Sequence, residues 1–186
     1  MFNIKKILII IFVILSLGIA FKFYKKYKNS EKLKIGDVSL KATKEIKNLN
    51  DLISVINTGL ILKGFVQIRN FSSQDFTLNQ ISIDGFSPVS NKLIAEQTNI
   101  IQKDIVIKSK QVTNIPIEYK LNISKAISLF SESGVIPENT TVWNIITHPV
   151  MYYDSVNLKK LKVILKGFIQ AEGITLNINQ ELFIYD

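Results

Sequence analysis

From residue 60 onward, apolar side chains recur at every second position in one stretch after another. Leu60, Leu62, Gly64, Val66 and Ile68 alternate with Ile61, Lys63, Phe65, Gln67 and Arg69. A period of two puts one set on a buried face and the other on an open face, so this stretch reads as a half-buried strand. Ile115, Ile117, Tyr119 and Leu121 repeat the pattern, with Pro116 pointing to a sheet edge or a bulge. Leu161, Val163, Leu165, Gly167, Ile169 and Ala171 run up to a Glu172-Gly173 turn, and Ile174, Leu176, Ile178, Leu182 and Ile184 return. Phe76 and Leu78 share one parity while Ile81 and Ile83 take the other, which predicts a bulge at Asn79-Gln80. Ile35, Val38 and Leu40 suggest a short first strand with an irregularity at Gly36-Asp37. Leu93 to Ala95, then Ile105 and Ile107, read as two more strands. Many short strands with one polar face each predict two stacked antiparallel sheets, over residues 35–186.

Two stretches depart from that period. Ile46, Leu49 and Ile53 sit at near-helical spacing, so residues 43–58 read as a short helix or an irregular strand. Ile123, Ala126, Ile127 and Phe130 make one helical face, with Ser124 as candidate N-cap and Gly134 as the stop. Residues 135–155 read as irregular and aromatic. Trp143, Tyr152 and Tyr153 there form either a binding patch or a lid over one end of the core, and the lid is the plainer reading.

The first 28 residues obey a different rule. Ile7, Leu8, Ile9, Ile10, Ile11, Phe12, Val13, Ile14, Leu15, Leu17, Ile19 and Phe21 belong to an uncharged run, Ile7 to Phe21. With its apolar neighbours it reaches the ~20 residues that a spanning helix needs. Lys5 and Lys6 precede it, and Lys22, Lys25, Lys26 and Lys28 follow, all placed to reach headgroups. These features predict a transmembrane helix with basic flanks over residues 1–28, then a polar linker over 29–34. A cleaved signal peptide is the competing reading, with Gly18-Ile-Ala20 as the cleavage site. The lysines just beyond would then have to cross the bilayer, which favours the uncleaved anchor. Orientation stays open: the denser C-terminal lysines argue for a cytoplasmic body, whereas a short basic leader favours export, with a slight lean to the latter.

This distribution also disposes of the obvious reading of a basic protein. The net charge is +8, but the first 28 residues hold six lysines and no acid, leaving only +2 on the rest. Arg69 is the one arginine. Nucleic-acid recognition favours arginine forks and a basic stripe, and the body has neither, so no nucleic-acid partner is expected.

Catalytic patterns are missing as well. The chain has no cysteine, which excludes thiolate chemistry, disulfides and a lipidated-cysteine anchor. His148 is the single histidine, before Pro149, and no nucleophile elbow or phosphate-cradling glycine loop occurs. Asp75, Asp84, Asp104 and Asp154 lie near expected turns, where Asp is ordinary. No enzyme activity, cofactor or metal is expected. Lys159, Lys160, Lys162 and Lys166 form a basic face that either meets anionic lipid or is simply solvated. Asn70-Phe-Ser, Asn122-Ile-Ser and Asn139-Thr-Thr match glycosylation acceptors and read as chance matches.

One phrase occurs twice. Ile61-Leu-Lys-Gly-Phe-Val-Gln67 returns as Ile164-Leu-Lys-Gly-Phe-Ile-Gln170, and Thr-Leu-Asn follows each copy, at Thr77–Asn79 and Thr175–Asn177. Either a strand–turn–strand unit is duplicated, or two amphipathic strands converge on similar wording. A glycine in mid-strand marks a kink or a close backbone approach in both.

An apolar N-terminal anchor, a lysine-rich flank and a strand ending in Asn resemble the late-embryogenesis-abundant group 2 proteins, the LEA-14/WHy family. The matching stretches are Gly64-Phe-Val-Gln-Ile-Arg-Asn70, Phe76 to Gly85, Ile115 to Leu121 and the final hairpin. Family members usually have Asn-Pro after the strand, and here Phe71 follows Asn70. The resemblance implies a mainly β fold, an immunoglobulin- or fibronectin-like antiparallel β-sandwich with one short helix, here preceded by a transmembrane helix. It implies a non-enzymatic protein of desiccation or stress, often membrane-tethered, and supplies no catalytic residues. Two other roles fit the same sequence: an envelope or phage assembly protein docking a protein partner, and a lipid-binding sandwich. The partners expected are the bilayer, through the N-terminal helix, and an unidentified protein or lipid.

Overall fold

The structure is a computed structural model that describes residues 4–98, 105–137 and 139–185. In chain order the elements are α1 (Ile4–Ser30), β1 (Leu33–Ala42), α2 (Leu49–Thr58), β2 (Leu60–Asn70), β3 (Phe76–Phe86), β4 (Leu93–Ala95) and β5 (Val106–Ile107). Then come β6 (Val112–Leu121), α3 (Ile123–Glu132), α4 (Val142–Thr147), α5 (Pro149–Tyr152), β7 (Lys162–Ala171) and β8 (Ile174–Phe183). One sheet runs β1-β2-β6 and the other β4-β3-β7-β8, with β5 also paired to β3, and every pairing is antiparallel. The arrangement is mainly β and sandwich-like.

The period-two residues fill the space between the sheets. Leu60, Leu62, Val66 and Ile68 of β2 and Ile115, Ile117, Tyr119 and Leu121 of β6 are buried. Val163, Leu165, Ile169 and Ala171 of β7, with Phe76 and Ile83 of β3, belong to the same core. Among the described residues, Tyr119 is the largest fully buried side chain, and its hydroxyl crosses between sheets to donate to the Ile83 carbonyl at 2.9 Å.

Both predicted irregularities are present. The register of β1 on β2 shifts between Ile35 and Val38, and that of β3 on β7 between Leu78 and Gln80. In each case an extra residue, on β1 and on β3 respectively, is accommodated as a bulge, and the side-chain parity reverses. Pro116 lies on β6, an edge strand of its sheet, where a missing N–H interrupts no central ladder.

The repeated phrase marks equivalent positions but not a duplicated hairpin. β2 and β7 each have a neighbour on both sides in their sheets, β2 between β1 and β6, β7 between β3 and β8. Gly64 faces Leu40 of β1, and Gly167 faces Ile83 of β3. A Cβ on Gly64 would collide with the Ser39 carbonyl, and one on Gly167 with the Ser82 carbonyl. Each bulge lies opposite the Gln that ends the phrase, Gln67 or Gln170. The strand–turn–strand unit itself does not repeat, because β2 and β3 lie in different sheets whereas β7 and β8 pair directly.

One open alternative is settled and three local expectations change. Residues 43–58 hold a true helix, α2, capped by the Asn48 side chain on the Asp51 N–H. α3 starts two residues earlier than Ser124 implied: the Asn122 carboxamide accepts from the Lys125 N–H. An Asn two positions upstream caps as well as a Ser, and it lets Ile123 begin the helix. Gly134 ends α3 as predicted, at φ 69°, with Val135 N–H bonded to the Phe130 carbonyl and Gly134 N–H to Ser131. The stretch 135–155 is more ordered than its composition suggested, folding into α4, α5 and a 3-10 turn at Tyr153–Ser155. Finally, the polar stretch 29–34 is not extended linker. α1 continues to Ser30 and β1 begins at Leu33, with Lys32 N–H turning back to the Asn29 carbonyl.

Candidate binding surfaces

The first candidate lies where α1 meets the sandwich. β1 pairs with the end of β2 from Leu33 opposite Asn70, and Phe71 N–H bonds to the Lys32 carbonyl at 3.1 Å. Asn70 organises this end. It is buried, its carboxamide donates to the carbonyls of Gln74 at 2.8 Å and Ile107 at 3.2 Å, and it accepts from Ser72 N–H at 2.9 Å. Its own N–H reaches the Gln111 carbonyl. One side chain thus ties β2, β5 and the 71–75 turn together. With Asn70 held inward, Phe71 is turned outward and is 59% exposed, beside the equally open Val112.

A surface hollow of about 340 Å³ opens beside them, lined by Asp37, Gln67, Arg69, Asn70, Phe71, Lys110, Gln111 and Val112. Arg69 crosses its floor, bonding Gln67 through Nε at 3.0 Å and pairing with Asp37 at 3.1 Å. Both partners are largely solvated, so the pair adds little stability and mainly fixes the guanidinium. Sequence reasoning missed this site. Its residues come from three separate stretches, and only Phe71 directly after Asn70 gave a local hint.

The second candidate is the far end. Trp143 on α4 is 69% exposed, and Val150 and Met151 near it in the chain are exposed too. Of the predicted aromatics, the two whose side chains are described differ in their settings. Tyr152 is half-buried and packs on the core, in the manner of a lid, while Trp143 stands out in solvent. The side chain of Tyr153 lies outside those described.

The remaining predicted residues have plain structural partners. Lys162 pairs with Glu181 at 2.9 Å, and Lys166 contacts Asn91 and lies over the Phe86 ring, 5.4 Å from its centre. Lys159 and Lys160 belong to a 3-10 turn rather than to a strand. The basic face is therefore broken up. Asp75 accepts from Ser109 N–H and pairs with Lys108, and the Ser109 bond above all holds its carboxyl below the usual range. Asp84 accepts from Gln97 N–H. Asp104 lies outside the described residues. His148 ends α4 and meets the Thr147 hydroxyl through Nδ1. Among the described residues, no group of three or more His, Cys, Asp or Glu side chains could hold a metal ion. Of the three glycosylation-like asparagines, Asn70 is buried and Asn122 caps α3.

Of the anchor residues, Ile7, Leu8, Ile9, Ile10 and Ile11, with Lys5, Lys6 and Lys26, have side chains outside those described. Phe12, Val13, Ile14, Leu15, Leu17, Ile19 and Phe21 lie on α1 and are exposed. Lys22, Lys25 and Lys28 follow on the same helix, also exposed. Among the described residues, no helix is long and apolar enough to cross a membrane.

No protein-family model matches the chain, and neither does any curated protein sequence. Two solved structures are similar in part. "Crystal structure of protein from Archaeoglobus fulgidus" aligns at 12% identity and TM-score 0.38, covering 82% of this chain and 99% of its own. "Crystal structure of FixG-related protein from Vibrio parahaemolyticus" aligns at 9% identity and TM-score 0.39, covering 83% of this chain and 98% of its own.

Proposed function

We propose that the chain is a non-enzymatic, membrane-tethered β-sandwich of the LEA-14/WHy type, immunoglobulin- or fibronectin-like in topology. It acts by binding or protection at the cell envelope, in a desiccation or stress setting. The observation that carries the reading is the junction at residues 30–33. An uncharged 15-residue run, Ile7 to Phe21, continues as helix to Ser30 and enters the first strand at Leu33. Exposed Phe12, Leu15, Leu17 and Phe21 point around the helix with no protein surface over them. In water such a helix would be costly; in a bilayer it is at home. The sandwich is then held close against the headgroup surface.

A second reading keeps the tether and makes the sandwich an assembly module for a protein partner. Exposed Trp143, Val150 and Met151 favour it, since aromatic and Met side chains are common in interface cores. Photo-crosslinking from the membrane-bound full chain tests both, with the photoreactive residue at Lys110 or at Trp143. Adducts to a defined lipid or protein species support a binding role. Labelling no higher than that of a soluble control, from both positions, contradicts it.

A further inference from the structure

Resting on the membrane-tethered reading, we infer that the α1-proximal end of the sandwich is itself a lipid contact, in which Phe71 and Val112 enter the headgroup layer while Lys32 and Lys110 meet anionic phospholipid. The reach is set by the helix. If the hydrocarbon span ends at Tyr24, six further residues carry the chain about 9 Å to Ser30. The headgroup region is roughly 5–8 Å deep on each side. The sandwich therefore starts at the outer headgroup surface, and the two-residue turn at Glu31-Lys32 leaves it little freedom to move away.

The side chains at that end have the composition of an interfacial surface. Phe71 and Val112 are 59% and 54% exposed, although each follows a residue held by backbone bonding to the sandwich. Phe71 is bonded through its N–H to Lys32, two residues past the helix, so it cannot be remote from the bilayer when α1 spans it. The acids here are largely engaged: Asp37 pairs with Arg69, and Asp75 with Lys108. Among the described residues, Glu31 and Glu172 complete the set, Glu172 accepting from Thr77 N–H. Among the described residues, exposed Lys32 and Lys110 have no acidic partner. Lys110 is held at φ 53° in the β5–β6 turn beside the hollow. Exposed aromatic and aliphatic side chains framed by unpaired lysines suit anionic headgroups, whose surface potential attracts each lysine nearby.

The chain has no cysteine, so single-cysteine labelling is clean. The full chain is reconstituted in phosphatidylcholine–phosphatidylglycerol vesicles with an environment-sensitive dye at Phe12→Cys, Phe71→Cys or Val150→Cys, all exposed positions. Lipids carrying nitroxide in the headgroup or deep in the acyl chain act as quenchers. The expected result is deep quenching at position 12, headgroup quenching with a blue shift at position 71, and neither at position 150. Lys32→Gln with Lys110→Gln is expected to reduce the position-71 quenching and leave position 12 unchanged. Deep quenching at position 12 with position 71 no more quenched than position 150 overturns the contact and leaves the anchor standing. No quenching at position 12 overturns the anchor, and the contact with it.

Discussion

Tyr119 shows what a single side chain does for a two-sheet fold. Burial, chiefly, and then the nearby Asp84 charge push its phenol well above the ordinary value, because the charged form would have to exist in the core. Its hydroxyl supplies a hydrogen bond from β6 to β3 across the interior. Tyr119→Phe leaves the Ile83 carbonyl without that donor and is expected to cost about 1–2 kcal/mol in urea unfolding at neutral pH. Because the folded pKa is raised, the stability tied to this phenol is complete below the unfolded value of ~10 and is lost as pH rises past it. The variant should therefore show a shallower alkaline loss than the parent. Gly64 and Gly167 make the complementary point. Each lets a neighbouring backbone carbonyl come where a Cβ would sit. Gly64→Ala or Gly167→Ala is expected to cost about 3 kcal/mol or more by thermal unfolding, as forced backbone displacement in a packed sheet does. The glycines were legible in the sequence as mid-strand anomalies. Tyr119 was legible as buried, from its parity, but its partner on another sheet was not, since Ile83 is joined to it only by the fold.

At the scale of elements, strands were easier to read than helix ends. Burial on one face imposes a period of two that the sequence has to carry, and even the bulges announced themselves as parity changes. Helix starts depend on one hydrogen bond, and Asn122 and Ser124 are both competent to make it. Asn122→Ala is expected to destabilise the protein by about 1 kcal/mol, with Ser124→Ala within a few tenths of the parent, by denaturant unfolding. The other end of α3 carries a contact no local rule predicts. Glu132 sits in the last turn, where the helix dipole disfavours an acid. The hydroxyls of Ser87, first, and Ser90 hold its carboxyl below the usual range and fasten the β3–β4 loop to α3. A depressed folded pKa means that this stability is present above the unfolded carboxylate value of ~4.3 and is lost as pH falls through the folded one. Glu132→Gln should flatten that part of the acid limb of a stability–pH profile. The site at the α1-proximal end was the least legible element of all. Phe71, Arg69, Lys110 and Val112 are gathered by the ends of β2 and β6, and no spacing in the chain records that meeting.

For the whole molecule, charge and topology point the same way. The excess of lysine belongs to the helix and its flanks, and the sandwich is close to neutral. The helix runs almost directly into the strand that opens the fold, so a membrane attachment would also orient the sandwich. One end, with Phe71 and Lys110, would face the bilayer, and the other, with Trp143 and Met151, would face away. The place of Phe71 follows from β1 and β2 running antiparallel: the start of β1 lies beside the end of β2. The proposed tether rests on residues 7–21 holding this protein in a membrane. Alkaline carbonate extraction of membranes from cells making the full chain tests it most directly. The protein is expected to stay in the membrane pellet through carbonate and to be released by detergent, and Ile14→Lys with Leu15→Lys is expected to move it to the supernatant. Full recovery of the unaltered chain in the carbonate supernatant, without detergent, would contradict it.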